Sequence, residues 1–376
     1  MDFDIFSNTD MLLDTLKKSN SITLKHHGDK ITLERAIFLS WWCDKGDCNF
    51  CYLASKRHKI KDSTIARRRL SSILAEAEIL NRIGWRVEFL STGYGSHKIN
   101  ELHEIAQMVS HVTRKGIWLN VGVLTEKQLG LFNNEIEGIV ASIETLDPNI
   151  RDRICPNKTI EDSIQSLNTG YKLGLKKAAT IVLGLGEGPI QIENLLEFIQ
   201  NMELDRITVY SLNPQKGTPF SNTPQPASLY QAGVIALIRI NFPKLEIIGG
   251  TWIDQLPNIG PIILAGATAI TKYPLFSMFG NRYGLKVEEE IKYANRTLLG
   301  TFSDIEILKG EKKLHKSKNP QYHSRESQLM IPDKIIEKVQ DMSDDIDDKI
   351  EGYVTTVLKR RKKFIHDSQE SHHCLN

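Results

Sequence analysis

Residues 41–52 read WWCDKGDCNFCY, and the fold of the whole chain turns on what this run is for. Cys43, Cys48 and Cys51 fall within nine positions, beside Trp41, Trp42, Phe50 and Tyr52. A structural zinc site takes four protein ligands, and its usual sign is two separated CxxC pairs. Here Cys48–Cys51 is the single CxxC, and the next cysteine is Cys155. Three thiols on one loop suit an iron–sulfur cluster that keeps one iron open for a small ligand. Two other readings compete. One is a set of buried free cysteines, which the charges of Asp44, Lys45 and Asp47 disfavour. The other is zinc completed by His58 or Cys155.

Outward from the loop, short apolar runs alternate with helical patterns. Residues 35–42 (RAIFLSWW) form the first strand-like run and deliver the chain into the cysteines. Residues 66–82 follow with Leu70, Ile73, Leu74, Ala77 and Leu80 at helical spacing. Further strand-like runs lie at 86–90, 116–123, 136–143, 178–185, 206–212, 245–249 and 268–271. Helical patterns at 99–113, 126–133, 160–173, 190–202, 229–241 and 261–265 fall between them, the helix at 160 opened by Asn157 or Thr159 as a cap. Strands buried on both faces read as continuous apolar runs, as these do. Eight βα units over roughly 250 residues predict an α/β fold of the (β/α)₈ TIM type, with the cysteines at the C-terminal end of its first strand, the side that carries active sites. A doubly wound open sheet is the alternative, because periodicity does not report closure.

The chain has 376 residues, 40% of them hydrophobic, and 48 Lys+Arg against 46 Asp+Glu leave a net charge of +2. That balance argues against a nucleic-acid partner. No secretory h-region opens the sequence and no apolar run is long enough for a bilayer, so no membrane role is expected. Five cysteines, an odd number with three clustered, point to a reducing cytoplasm rather than a disulfide framework. Three regions follow: an N-terminal helical extension (1–33), the barrel (34–284) and a charged, partly helical or disordered C-terminal extension (285–376). The last includes the charge run 309–321, a candidate surface helix at 335–358, the basic cluster 359–363, read as a solvated helix end, and a tail in which His372, His373 and Cys374 are metal-ligand candidates.

The cysteine loop resembles that of the radical SAM superfamily. The family's signature has three residues between its first two cysteines and two before the third, with an aromatic preceding the last. This chain has four, Asp44–Asp47, then Asn49 and Phe50, and enlarged first spacings occur in related biotin synthase-like archaeal proteins. The resemblance implies a [4Fe–4S] cluster on Cys43, Cys48 and Cys51, with S-adenosylmethionine on the fourth iron. Reduction would cleave that sulfonium to methionine and a 5′-deoxyadenosyl radical. Phe50 would pack near the adenine. Residues 91–95 (STGYG) resemble the turn that receives the methionine amino group, which assigns Thr92 and Gly93 to the cofactor, although the family's glutamate is missing. Glu144, at the end of the fourth strand, would meet the ribose hydroxyls or the ammonium group. Residues 180–187 (TIVLGLGE) resemble the stretch beside the adenine, so Val182 and Gly184 would contact the base while Glu187 shapes the turn.

Residues 213–219 (NPQKGTP) and the seventh and eighth units resemble biotin synthase, so the likeness spans about residues 35–275. Biotin synthase draws sulfur from an auxiliary cluster held by three more cysteines and an arginine. This chain has only Cys155 in the barrel, and Gly249-Gly250-Thr251 replaces the arginine, which argues against that activity. Two enzymatic readings remain: a component of the two-protein archaeal lipoyl synthase, favoured by the spacing, and a radical step in building the iron-guanylylpyridinol cofactor of a hydrogenase. The implied partners are a ferredoxin- or flavodoxin-type reductant, a second radical SAM protein, and a small-molecule or lipoyl-domain substrate. A non-catalytic iron–sulfur or zinc protein is the reading from another class.

Overall fold

In the computed structural model, residues 3–56, 59–188, 191–313 and 329–373 are described, residues 3–4 and 363–373 by backbone alone. Eight parallel strands follow one another around a closed ring: β1 Lys30–Phe38, β2 Arg86–Ser91, β3 Ile117–Asn120, β4 Ile136–Glu144, β5 Lys176–Leu183, β6 Arg206–Ser211, β7 Glu246–Gly250 and β8 Ala269–Thr271. β1 pairs with both β2 and β8, and this double pairing excludes the open sheet. A two-residue strand, β9 (Thr297–Leu298), pairs with the start of β1 outside the ring.

Helices Leu70–Arg82, Ile99–Thr113, Ile160–Lys172, Gln191–Met202 and Ser228–Asn241 return the chain between strands. Ile73, Leu74, Ala77 and Leu80 of the first form an apolar stripe and are buried, whereas Ser228–Asn241 is buried all round from Gln231 to Arg239. Inside the ring, Ala36, Phe89, Trp118, Val140 and Ala178 pack as a separate cluster, as barrel interiors do.

β1 begins at Lys30, earlier than residue 35, because Glu34 and Arg35 interrupt the apolar pattern without interrupting the strand. Both are paired. Glu34 meets Arg86 at 3.0 Å, and Arg35 donates to Glu76 at 2.5 Å. Arg86 and Arg206 also bind Glu246, at 2.6 and 2.7 Å, and Arg206 lies 4.5 Å over the Trp118 ring. This network crosses the N-terminal end of the barrel, while the opposite mouth is the one that carries chemistry in barrels of this type.

Described segments on either side of the barrel pack onto it. Helix Thr9–His27 lies against Ser228–Asn241, with Ser19 donating to the Ala265 carbonyl at 2.5 Å. After Gly284 the sequence turns polar, yet Val287, Ile291, Phe302 and Leu308 are buried. The surface helix expected at 335–358 is two helices, Asp333–Asp341 and Ser343–His373. Buried Ile346, Ile350 and Val357 line the second, and Tyr353 stacks on Phe276 at 4.2 Å while sharing a 2.7 Å hydrogen bond with Ser72. Residues 359–362 continue that helix, the backbone alone of His372 and His373 is described, and Cys374 lies outside the described residues, as does most of the 309–321 charge run. Among the described residues no helix is long and apolar enough to cross a membrane.

Candidate active site

The cysteine loop leaves β1 and is held down on two sides. On one side it rests on the turn after β2, where the Asp44 amide donates to the Tyr94 carbonyl at 2.9 Å. A Cβ on Gly93 would fall 2.3 Å from the Trp42 oxygen and 2.4 Å from Cys43 Cβ. Glycine is therefore required so that Cys43 can lie directly on this turn. On the other side the loop binds the segment after β4. The Asn49 amide donates to the Ile154 carbonyl at 2.9 Å and its side chain to the Arg153 carbonyl at 2.7 Å, while Lys45 and Asp47 both bond Asn157. Trp41 stacks on Phe38 at 5.4 Å, and the Trp42 indole donates to Asp44 at 2.6 Å, so both tryptophans brace the loop.

The segment after β4 owes its shape to two caps. Asp147 accepts from the Ile150 amide at 2.9 Å to start helix Pro148–Ile154, and Thr159 accepts from Asp162 at 3.2 Å to start Ile160–Lys172. Between them Lys158 turns back to the barrel mouth. Its ammonium donates to Glu144 at 3.2 Å and to the Ser142 carbonyl at 3.3 Å. Burial opposes the Lys158 charge, but Glu144 and then the neighbouring thiols raise its pKa above the ordinary lysine value. Glu144 itself stands at φ 66°, a left-handed conformation that non-glycine residues adopt rarely and that clusters at functional sites.

These groups surround one cavity of about 460 Å³ at the C-terminal mouth. Cys43, Cys48, Cys51, Phe50, Thr92, Gly93, Glu144 and Val182 all line it. Gly184 stands off that wall: at φ 98° it packs against Pro226 and Leu212, and its amide donates to Glu187 at 2.7 Å. Glu187 also accepts from Leu185 at 2.9 Å, so it shapes this turn. Sequence reasoning missed Lys158, Tyr210 and Lys272, which share the cavity; a lone lysine before a helix cap carries no local signal of burial.

Among the described residues no three His, Cys, Asp or Glu side chains stand close enough for a finished metal site. The Cys48 thiol instead shares a hydrogen bond with buried Cys155, and that contact, with burial, pushes it far above the ordinary thiol range. Burial, then Cys48, pushes Cys51 up to about 11. A metal would bind each as the thiolate, with release of its proton. The donor chemistry fits an iron–sulfur cluster: three thiols from one loop face one cavity, with a charged pair beside them to engage a polar ligand. Of the two groups that would complete a zinc site, Cys155 lies against Cys48 and His58 lies outside the described residues.

A closed parallel barrel with a three-cysteine loop after its first strand defines the class. The Radical SAM superfamily model matches residues 39–199, from the residue after β1 into the helix after β5. An uncharacterized protein of Methanocaldococcus jannaschii is 44% identical over 352 residues, 93% of this chain and 96% of that protein. Biotin synthase of Thermodesulfovibrio yellowstonii is 25% identical over 286 residues, covering 73% of this chain and 87% of its own. Among solved structures, methylornithine synthase is 19% identical and similar in fold, with a TM-score of 0.61 over 70% of this chain and 78% of that one. The chain belongs to the radical SAM superfamily and has biotin synthase-like homologues. It is an enzyme of that superfamily, whose members normally use a [4Fe–4S] cluster and S-adenosylmethionine.

Proposed function

We propose that Cys43, Cys48 and Cys51 hold a [4Fe–4S] cluster and that the chain uses S-adenosylmethionine to remove hydrogen from an unactivated carbon. The reaction proposed is sulfur transfer into an aliphatic chain, as in lipoyl assembly, on a free acid or on one carried by a lipoyl domain. The observation that carries it is the meeting, in one cavity, of the three thiols with the Glu144–Lys158 pair. The bound cluster and S-adenosylmethionine would supply the radical chemistry, which belongs to the cofactor. The chain's own residues bind and orient. Lys158 and Glu144 offer one cation and one anion, a match for the carboxylate and ammonium of an amino acid. Phe50 and Val182 offer an apolar wall to a flat base, and Trp41, stacked on Phe38, braces the loop side. Cys155 is the only other cysteine of the barrel, so the sulfur would come from a partner, a second radical SAM protein in this reading, and the electron from a ferredoxin- or flavodoxin-type reductant. Anaerobic reconstitution with iron and sulfide, followed by a reductant and a 5′-deoxyadenosine assay, tests the proposal. Four irons per chain without S-adenosylmethionine cleavage would leave a non-catalytic cluster protein. Zinc without visible absorbance would remove the cluster itself.

A further inference from the structure

Two barrel strands finish on a charged residue with left-handed backbone: Glu144, the last residue of β4, and Lys272, directly after β8, at φ 80°. Both line the cavity, from opposite sides of the ring. Such conformations persist only where the surroundings enforce them. Glu144 is occupied with Lys158, whereas Lys272 has no part in the site described so far.

The surroundings of Lys272 are built by a register shift. Arg35 pairs with Val87 and Ile37 with Leu90, so β2 carries one residue more than β1 over this stretch. A bulge of this kind re-aims side chains next to active sites. Here it lets two successive residues reach the interior: Phe89 joins the interior cluster, and the Glu88 carboxylate crosses to β6 and β8. Glu88 is fully buried and already well supplied. One oxygen accepts from the Tyr210 hydroxyl, and the other accepts from Thr271 at 2.7 Å. The carboxylate also forms an ion pair with Lys272, the longest of its three contacts, at 3.4 Å.

Lys272 therefore lies above a satisfied carboxylate with its ammonium 4.7 Å from the Tyr210 ring and 5.2 Å from the Phe89 ring. An ammonium has three donors, and one long contact leaves two to give. The other charged side chains on the cavity wall are Lys45, Lys158 and Glu144. Lys158 is held by Glu144, and Lys45 is held by the Asn157 carbonyl and the Tyr94 ring. Phe38 and Val140, which pack in the same interior cluster as Phe89, also line the cavity.

We propose that Lys272 anchors the carboxylate of the substrate that gives up hydrogen, a free carboxylic acid whose carbon chain lies on Phe89 and Tyr210. The proposal rests on the radical SAM reading and narrows its substrate to an acid, as against an acyl amide on a carrier domain. Octanoate and octanamide, alike but for charge, are titrated calorimetrically into the cluster-loaded, S-adenosylmethionine-bound protein and its Lys272→Met, Lys272→Gln and Lys272→Arg forms. Loss of a hydrogen bond to a charged group weakens binding by about tenfold or more. Octanoate is expected to bind at least that much more tightly than octanamide, with the preference lost in the Met and Gln forms and kept in the Arg form. Equal affinities, a preference that survives both neutral variants, or no octanoate binding would overturn the anchor. Visible absorbance and circular dichroism report that each variant is folded and loaded. Release of 5′-deoxyadenosine by the unaltered protein is read separately. Its absence beside a retained octanoate preference would sink the radical SAM reading alone, and cleavage without the preference would sink the anchor alone.

Discussion

Gly93→Ala tests whether the turn after β2 positions Cys43. The new Cβ would fall 2.3 Å from the Trp42 oxygen, 2.4 Å from Cys43 Cβ and 2.8 Å from Cys43 Cα, whereas ordinary contact begins at 3.4 Å. Cys43 must then retreat by about 1 Å, several times the ±0.2 Å within which metal–ligand distances are held. The obstacle is backbone and the root of a side chain, so no rotamer change relieves it. Overpacking of this kind costs about 1–3 kcal/mol, which lowers a melting midpoint by roughly 2–4 °C per kcal/mol in domains of 150–250 residues. The expected outcome is a folded protein, slightly less stable, that fails to take up a full complement of iron. Iron and sulfide content after anaerobic reconstitution, with thermal melting followed by circular dichroism, reads both quantities. Gly352→Ala is the control: nothing lies within 4 Å of its Cβ, it sits in helix Ser343–His373, and helix propensity predicts a gain of about 0.5–1 kcal/mol. A Gly93→Ala protein with wild-type iron content would refute the placement of Cys43 on the turn.

Cys48→Ala should remove both the visible absorbance and S-adenosylmethionine cleavage; full cluster content in that variant would show that the thiol is no ligand. Lys158→Met leaves the Glu144 carboxylate buried without its cation, and breaking such a pair costs about 3–5 kcal/mol. Urea midpoints should fall accordingly, and calorimetry should show S-adenosylmethionine binding weakened by about tenfold or more. An unchanged midpoint would mean that the pair is dispensable. Burial, then Arg239 donating to its Nε2 at 2.8 Å, lowers His27 to about 4. The unfolded chain binds the proton near pH 6.5 and the folded chain resists it. Stability is therefore full above pH 6.5 and declines as pH falls toward 4. His27→Gln should flatten the melting temperature across that window; an unaltered slope would assign the pH dependence elsewhere.

Much of the barrel was legible because its strands are buried on both faces and its helices keep an apolar stripe. The helix at Ile99–Thr113 and the strand starting at Arg86 lie where periodicity places them. The misreadings have one cause. Glu34 and Arg35 look like a strand boundary until their partners arrive from Arg86 and Glu76, distant in sequence. The polar stretch after Gly284 looks solvated until Phe302 is seen against Trp85 at 4.7 Å.

At the site, the three cysteines announce themselves through residue type and spacing, since thiols chelate and short loops converge. Glycine at 93 is visible too, but its reason, the backbone of Cys43 resting on it, is not. Lys158 and Lys272 are ordinary lysines in the sequence. One reaches the cavity when helix caps turn it onto Glu144, the other when a β-bulge and a left-handed residue bring it over Phe89 and Tyr210. By itself the sequence determined the βα rhythm, the thiol loop and its place after the first strand, because these depend on neighbours along the chain. Closure of the ring, the ion-pair network at its N-terminal end and the charges facing the cavity were decided by tertiary structure alone. A buried charge depends on partners that only the fold brings within reach.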